Sequence, residues 1–206
     1  MQATVTQTLT VEQAAQQRRS IRKYQSGPIP HADLERILDV ARRAPSAFNV
    51  QPWYFVVIQN SELKNQLMQA SYNQAQVGNA PAVIALVTDV DRVLESPEAI
   101  SHPSWGDEGR AKTRATVEGL FAGQTFEQRN AWANAQSNIA FGWLLLAAES
   151  LGYGTSPMLG FDGAKVKALL ELPQSVQITA LMPLGKAAES GLSPHRHALE
   201  RIVTWK

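Results

Sequence analysis

The stretch from Phe126 to Leu151 constrains the fold most, because its pattern predicts one long helix without a clear polar face. Alanine, isoleucine, tryptophan and leucine occupy most of its sides. A helix that is apolar nearly all round is usually buried at the centre of a larger structure. Its longest apolar run, Ile139 to Ala148, is shorter than the ~20 residues that a membrane span requires. We therefore expect a central helix buried in a globular domain.

Three short apolar segments predict buried strands. WYFVVI (53–58) and AVIALVT (82–88) are rich in β-branched and aromatic residues. In VQITALMPLG (176–185), apolar residues recur at every second position before Gly185. Further helices are expected at 11–19, 32–44, 63–77 and 164–172, and a loop at 151–162. Strands separated by helices, with helix dominating, indicate an α/β or α+β protein with a small sheet.

Composition suggests one domain of ordinary globular type. The chain has 206 residues, of which 44 % are apolar and 18 % are charged. We expect this domain to cover 1–206, with a variable, partly helical insertion at about 89–124, where Pro97, Pro103 and Gly106 interrupt the pattern.

The same composition excludes several classes of protein. The absence of cysteine rules out disulfides, cysteine-ligated zinc and thiol catalysis, and it agrees with a cytoplasmic location. A net charge of +1 argues against nucleic acid as a partner. The polar N-terminal stretch lacks the apolar core of a signal peptide, and no segment is long enough to span a membrane. We expect a soluble, cytoplasmic protein.

The segment RRSIRKY (18–24) concentrates positive charge in an otherwise balanced chain. Its four cations are Arg18, Arg19, Arg22 and Lys23, and they surround Ser20. By itself such a cluster is compatible with solvated surface, a nucleic-acid contact, a membrane contact or the seat of a small phosphorylated ligand.

Two loops carry polar or flexible groups suited to a ligand. PSAFNVQPW (45–53) offers neutral amide and hydroxyl groups, which match the edge of a heteroaromatic ring, although a simple helix-terminating loop is an equal alternative. The glycines of GTSPMLG (154–160) allow a ligand to approach the backbone closely, although an ordinary connection between helices explains them as well.

Other motifs fail on context. The chain has no P-loop and no G-x-S-x-G nucleophile elbow. The sequence GYG (152–154) begins like a dinucleotide-binding fingerprint, but it follows a predicted helix rather than a strand, which excludes a Rossmann site. His195 and His197 have no third ligand nearby, so we expect no metal site. No catalytic side-chain constellation is visible.

In combination, the motifs resemble the nitroreductase family of FMN-dependent NAD(P)H oxidoreductases. They occur in the order RRSIRKY, PSAFNVQPWYFVV, YNQAQVGNAPAVI, LGYGTSPMLGFD, MPLGK and a late Arg196. The resemblance runs from about residue 15 to 203 and is weakest over 89–124. It implies an α+β, nitroreductase-like fold with a small central, mainly antiparallel sheet flanked by helices. It also implies an intertwined homodimer that binds FMN in two clefts at the subunit interface.

The resemblance further implies the residues that bind FMN. Arg18 and Ser20 would hold the phosphate, with Arg19 beside the phosphate or the ribityl chain and Arg22 near the ring edge that becomes anionic at N1 on reduction. Arg196 would reach the phosphate as well, while Pro194 stands where many relatives have lysine and His195 is a candidate substitute. The ring and ribityl contacts would come from Pro45, Ser46, Ala47, Asn49 and Gln51, with Ser46, Asn49 and Gln51 contributed by the other subunit. Asn73 and Gln76 would face the N3 and O2/O4 edge, and the loop over the flavin would comprise Pro157, Met158, Leu159 and Gly160, with a backbone N–H toward N5.

The activity implied is hydride transfer from NAD(P)H through flavin N5 to a small-molecule electron acceptor, nitroaromatic or quinone-like, by a ping-pong scheme. The cofactor carries the chemistry, so no catalytic side chain is required. Two alternatives stay open: other flavin chemistry on the same fold, such as flavin fragmentation or reductive dehalogenation, and a non-catalytic flavin-binding protein.

Overall fold

The structure, a computed structural model, describes residues 8–206, so the polar stretch before residue 8 lies outside the described residues. Within that range the strands are β1 (Trp53–Ile58), β2 (Ala82–Thr88), β3 (Gly154–Thr155) and β4 (Gln177–Gly185). The helices are α1 (Val11–Gln17), α2 (His31–Ala41), α3 (Ser61–Ala70), α4 (Ala75–Asn79), α5 (Val90–Glu95), α6 (Gly106–Phe121), α7 (Phe126–Ser150), α8 (Gly163–Leu169) and α9 (Leu199–Ile202).

The four strands form one sheet in the order β1-β2-β4-β3, and each neighbouring pair is antiparallel. Trp53 lies opposite Thr88 in the first pair, and Val83 lies opposite Pro183 in the second. The expected α+β class, with a small antiparallel sheet flanked by helices, is confirmed.

Helices cover both faces of this sheet. Side chains of α2 and α7 pack on the face that includes Ile84, and side chains of α3, α4 and α8 pack on the face that includes Val83. Successive strand residues point to opposite faces, so all seven residues of β2 are buried. This two-sided burial explains why AVIALVT is apolar without alternation.

Helix α7 fulfils the expectation of a central helix along only part of its surface. It begins with a capping box between Thr125 and Gln128, and Leu144 and Ala148 are fully buried against the sheet and α2. Ile139 and Trp143, however, are exposed in the single chain. None of the helices within residues 8–206 has the length and hydropathy of a membrane span.

The segment 89–124 consists mainly of helix, with α5 and α6 separated by two 3₁₀ turns at Pro97–Ile100 and Pro103–Trp105. It is anchored by a small separate cluster in which Phe121 of α6 packs edge-on against Trp132 of α7, with ring centroids 5.3 Å apart. Most other side chains of α6 are exposed, so this segment projects from the body of the protein.

The helix expected over 63–77 is in fact two helices, α3 and α4. Tyr72 and Asn73 interrupt it with left-handed backbone angles (φ of 55° and 57°), which a helix cannot continue. Lys64 of α3 then holds the shorter helix in place, because its Nζ donates to the carbonyl of Ala80. The break leaves Asn73 exposed at the turn and Gln76 buried on α4.

The loop expected over 151–162 contributes the edge strand β3, so the expectation of loop alone is wrong. Two residues are too few to show a periodic pattern, and the strand exists because Gly154 and Thr155 pair with Gly185 and Leu184 of β4. Downstream, Met158 exchanges backbone hydrogen bonds with Leu181, so the segment follows β4 for several residues.

Candidate functional site

Arginine side chains from the two ends of the chain surround a cavity of about 220 Å³, here called the arginine pocket. Its lining comprises Arg18, Arg19, Ser20, Arg22, Leu192, Pro194 and Arg196. The structure therefore brings together Arg18, Arg19, Ser20 and Arg196, which the resemblance assigned to the phosphate or its surroundings. His195, the candidate substitute for a missing lysine, is not part of this lining.

The positive charges of the arginine pocket are hardly neutralised by acidic side chains of the described residues. Among residues 8–206 no carboxylate lies within ion-pair distance of the four guanidinium groups. Nη1 of Arg18 is buried without a hydrogen-bond partner. Burial, and then the neighbouring Arg196, lower the pKa of Arg18, with Glu149 opposing that shift. A buried guanidinium nitrogen without a partner is costly, and an anion with several acceptor oxygens is the group that would satisfy it.

Arg19 has a second role that explains its place at the side of the pocket. Its Nη1 donates to the carbonyl of Gln16 at 2.6 Å and to that of Arg18 at 3.1 Å, so it caps the C-terminus of α1. Part of its hydrogen-bonding capacity is thereby used within the chain.

The segment that carries Ser20 and Arg22 is fixed to the sheet through Ile21. The N–H of Ile21 donates to Thr155 at 2.8 Å, and its side chain is only 4 % exposed. A Cβ on Gly154 would lie 2.7 Å from the Cγ1 of Ile21, so glycine is required for this approach. Ser20 and Tyr24 form isolated bridges with Thr155 and Ala187, and Ser20 and Arg22, on either side of Ile21, line the arginine pocket.

The C-terminal segment holds the same stretch from its other side. Oε1 of Glu189 accepts from the N–H of Arg22 at 2.7 Å and from that of Lys23 at 3.3 Å. Tyr24 Oη donates to the carbonyl of Ile21 at 2.7 Å, and burial raises the pKa of Tyr24. Sequence reasoning missed Glu189, since its partners lie 167 and 166 residues away and no local pattern links them.

A second group of predicted residues meets beside α4. Gln76 is 8 % exposed, and its Nε2 lies 3.1 Å from Oε1 of Gln74 and 3.6 Å from Sδ of Met158. Nε2 of Gln74 in turn donates to the carbonyl of Gly160 at 2.8 Å. Gln74 was not predicted, although it stands between Asn73 and Gln76 in the same YNQAQ motif.

Only part of the 157–160 loop can offer a backbone N–H to a ligand. Pro157 has none, and the N–H of Met158 donates to Leu181 at 2.9 Å. No partner within residues 8–206 accepts the N–H of Leu159 or of Gly160. Within this loop, only Leu159 and Gly160 can therefore supply the backbone N–H predicted to meet flavin N5. The side chain of Leu159 is 77 % exposed.

The residues expected from 45–51 lie apart from the arginine pocket. Asn49 and Gln51 line a groove of about 990 Å³, here called the insertion groove, together with residues of 99–116. Ser46 supports this turn, since its Oγ accepts from the N–H of Gln51 at 2.9 Å, and Ala47 donates to Gln136 at 2.9 Å. Pro45 is exposed where the turn begins. Within one chain, the groove and the arginine pocket share no lining residue.

Positive backbone φ angles are concentrated in two of the polar segments for which ring contacts are predicted. Among residues 8–206, the non-glycine residues with positive φ are Phe48, Asn49, Gln51, Tyr72, Asn73 and Glu171. All but Glu171 belong to the two polar segments predicted to contact the ring. Such conformations persist where the surroundings impose them, and they cluster at binding sites.

Comparison with known proteins identifies the family of the chain. The family model described as the nitroreductase family matches residues 15–186. A protein of Thermus thermophilus named NADH dehydrogenase is 43 % identical over 198 residues, which cover 96 % of this chain and 97 % of that protein. YodC of Bacillus subtilis, assigned as an NAD(P)H nitroreductase, is 30 % identical and is covered in full by 98 % of this chain.

Solved structures show the same fold. A protein of Exiguobacterium sibiricum assigned as a nitroreductase, solved in complex with FMN, superposes with a TM-score of 0.86 at 28 % identity, covering 98 % of this chain and 100 % of that one. The resemblance noted in the motifs is confirmed by the family match over most of the chain. The chain belongs to the nitroreductase family, a family of oxidoreductases.

Proposed function

We propose that this protein is an FMN-dependent NAD(P)H oxidoreductase acting on small electron-poor acceptors. The observation that carries the proposal is the arginine pocket: among residues 8–206, a buried guanidinium nitrogen of Arg18 has no hydrogen-bond partner and no carboxylate pairs with the pocket's cations. A terminal phosphate of FMN supplies the charge and the acceptor oxygens that this pocket lacks. The names of two relatives, an NADH dehydrogenase and an NAD(P)H nitroreductase, support a nicotinamide as the donor.

The residues of this chain bind and orient rather than react. Arg18, Ser20 and Arg196 hold the phosphate, and Arg22 places a fixed positive charge near the edge of the ring that becomes anionic on reduction. The N–H groups of Leu159 and Gly160, which have no acceptor within residues 8–206, donate to the ring. Bound FMN supplies hydride exchange, with NAD(P)H and then a nitroaromatic or quinone-like acceptor occupying one face in turn.

The insertion groove has the features expected of a binding site for the electron acceptor. It places Phe48 and Trp105, exposed by 61 % and 62 %, beside the amides of Asn49 and Gln51. Exposed aromatic rings next to neutral amides suit a planar, electron-poor ring. The acceptor preference therefore depends on the segment 89–124, where the family resemblance is weakest.

In a homodimer, the insertion groove of one subunit can lie next to the arginine pocket of the other. Two exposed features support a second copy as the partner: Ile139 and Trp143 on α7, and the tail residues Leu199, Ile202 and Trp205, which are 65–89 % exposed. The outer edge of β1 is also unpaired among the described strands. A second copy that covers these features could bring Asn49 and Gln51 to the flavin held by its partner.

The test is to purify the protein and record its absorbance, its mass in solution and its oxidation of NADH and NADPH with nitroaromatic and quinone acceptors. We expect a yellow dimer that turns over. Colourless protein that cannot be reconstituted with FMN would contradict the proposal. Tight FMN binding without reduction by either nicotinamide would indicate a flavin-binding protein. Oxygen-dependent destruction of reduced FMN would indicate flavin fragmentation.

A further inference from the structure

Two glutamine amides link α4 to the 157–160 loop in a single chain of hydrogen bonds, here called the amide relay. It runs from the carbonyl of Gly160 to Nε2 of Gln74, and from Oε1 of Gln74 to Nε2 of Gln76. The donor–acceptor distances are 2.8 Å and 3.1 Å, which are ordinary hydrogen-bond lengths.

The backbone determines the orientation of both amides. A carbonyl oxygen can only accept, so Gly160 requires the NH₂ group of Gln74 to face it. Oε1 of Gln74 then faces Gln76 and can only accept as well, so Gln76 must present its own NH₂ group in return. The second hydrogen of that NH₂ group lies toward Sδ of Met158, with Nε2 and Sδ 3.6 Å apart. Both donors of Gln76 are therefore used inside the protein.

The group that Gln76 has left for a ligand is an acceptor. Its Oε1 makes no hydrogen bond within residues 8–206 and is not fully buried there, so it keeps its capacity to accept one. A ligand group that meets this oxygen must donate a hydrogen bond. The imide N3–H of a flavin ring is a donor, whereas the ring oxygens O2 and O4 are acceptors and would be repelled.

We infer that Gln76 accepts a hydrogen bond from N3–H of FMN, and that Gln74 is the positioning residue that fixes this polarity. The inference rests on the proposed function and sharpens it, because the family resemblance places Gln76 at the ring edge without saying which partner it meets. It also assigns a role to Gln74. The same relay restrains Gly160, whose N–H has no acceptor within residues 8–206 and belongs to the loop proposed to lie over the ring.

Binding of FMN and of 3-methyl-FMN, which lacks the N3 proton, to apoprotein tests the relay through the ratio of the two dissociation constants. The variant is Gln74→Met, similar in size but without amide groups, and the matched control is Gln66→Met on the exposed side of α3. The wild type and the control should bind 3-methyl-FMN about 10-fold or more weakly, as expected for a lost hydrogen bond. The ratio should fall at least about 3-fold in Gln74→Met.

A second measurement separates hydrogen bonding from the bulk of the methyl group. In the wild type bound to ¹⁵N-labelled FMN, the N3 proton should resonate downfield of its position in free FMN, and it should move back in Gln74→Met. This wild-type spectrum tests the inference even if the variant fails to fold. An unshifted N3 proton, or equal ratios in Gln74→Met and the control, would overturn the relay while FMN binding stands. Failure of the wild type to bind FMN would instead overturn the proposed function.

Discussion

The arginine pocket encloses about 220 Å³ between segments that are hydrogen-bonded to the sheet, whereas the insertion groove holds about 990 Å³ beside two 3₁₀ turns and an exposed helix. In the pocket, Ile21, Tyr24 and Glu189 tie the cationic segment to β3, β4 and the tail. In the groove, Trp105 and Phe48 remain exposed.

This contrast separates a part of the protein that must hold one ligand from a part that can vary. A phosphate requires guanidinium groups at fixed positions, and a rigid backbone supplies them. An acceptor site with exposed aromatic rings can be altered without disturbing the sheet. Variants in and near the two regions test this division, with expected effects that decrease from Arg18 to Glu149.

The largest effect is expected at Arg18, the partly buried cation of the pocket. Arg18→Ala should weaken FMN binding about 10- to 100-fold, because a hydrogen bond to a charged group contributes about 1.5–3 kcal/mol. Lys23→Ala is the control, since Lys23 is exposed and does not line the pocket. Fluorescence titration with FMN measures both. Equal losses would show that the cations of 18–24 act through overall charge.

Gly154→Ala tests whether the pocket depends on the sheet behind it. The new Cβ would lie 2.7 Å from Ile21, so the free energy of unfolding should fall by ~1–3 kcal/mol and FMN binding should weaken as Ser20 shifts. Gly119→Ala on α6 is the matched control, because no atom lies within 4 Å of its added Cβ. In that control, the free energy of unfolding should stay unchanged or rise by up to ~1 kcal/mol. Urea denaturation distinguishes the two.

Trp105→Ala addresses the insertion groove. It should raise the KM for an aromatic acceptor about 3- to 10-fold, since an aromatic contact contributes about 0.5–1.5 kcal/mol. The dissociation constant of FMN and the KM for NAD(P)H with a non-aromatic acceptor should change little. Steady-state kinetics with both acceptor types give the comparison. A parallel loss of FMN affinity would mean that pocket and groove are not separable.

The smallest effect concerns Glu149, the half-buried carboxylate near the pocket. Burial raises its pKa above the ordinary value, while Arg18 and Arg19 oppose that shift. The folded state thus disfavours the charged form, so wild-type stability is fully present below the unfolded-state pKa and declines as pH rises through the folded-state pKa. Glu149→Gln should match the wild type in acid and melt at a higher temperature near neutral pH. A variant that melts lower near neutral pH would show that attraction to the arginines dominates.

Much of the architecture was predictable because it depends on local patterns of apolar residues. The long helix, three of the four strands and the α+β class follow from hydrophobic periodicity, and the matching helix α7 and strands β1, β2 and β4 confirm them. The motif order was sufficient to indicate the family, which the family match confirms. The assignment of individual residues to FMN stays a prediction.

What the sequence by itself determined is therefore the set of elements and the clustering of cations around Ser20. The tertiary structure decided how these parts are held: β3 exists through its pairing with β4, Glu189 reaches Arg22 across 167 positions, and the carbonyl of Gly160 orients two glutamines. The physical reason is that helices and buried strands follow from the spacing of neighbouring apolar residues. Hydrogen bonds between distant segments depend on where the completed fold places their donors and acceptors.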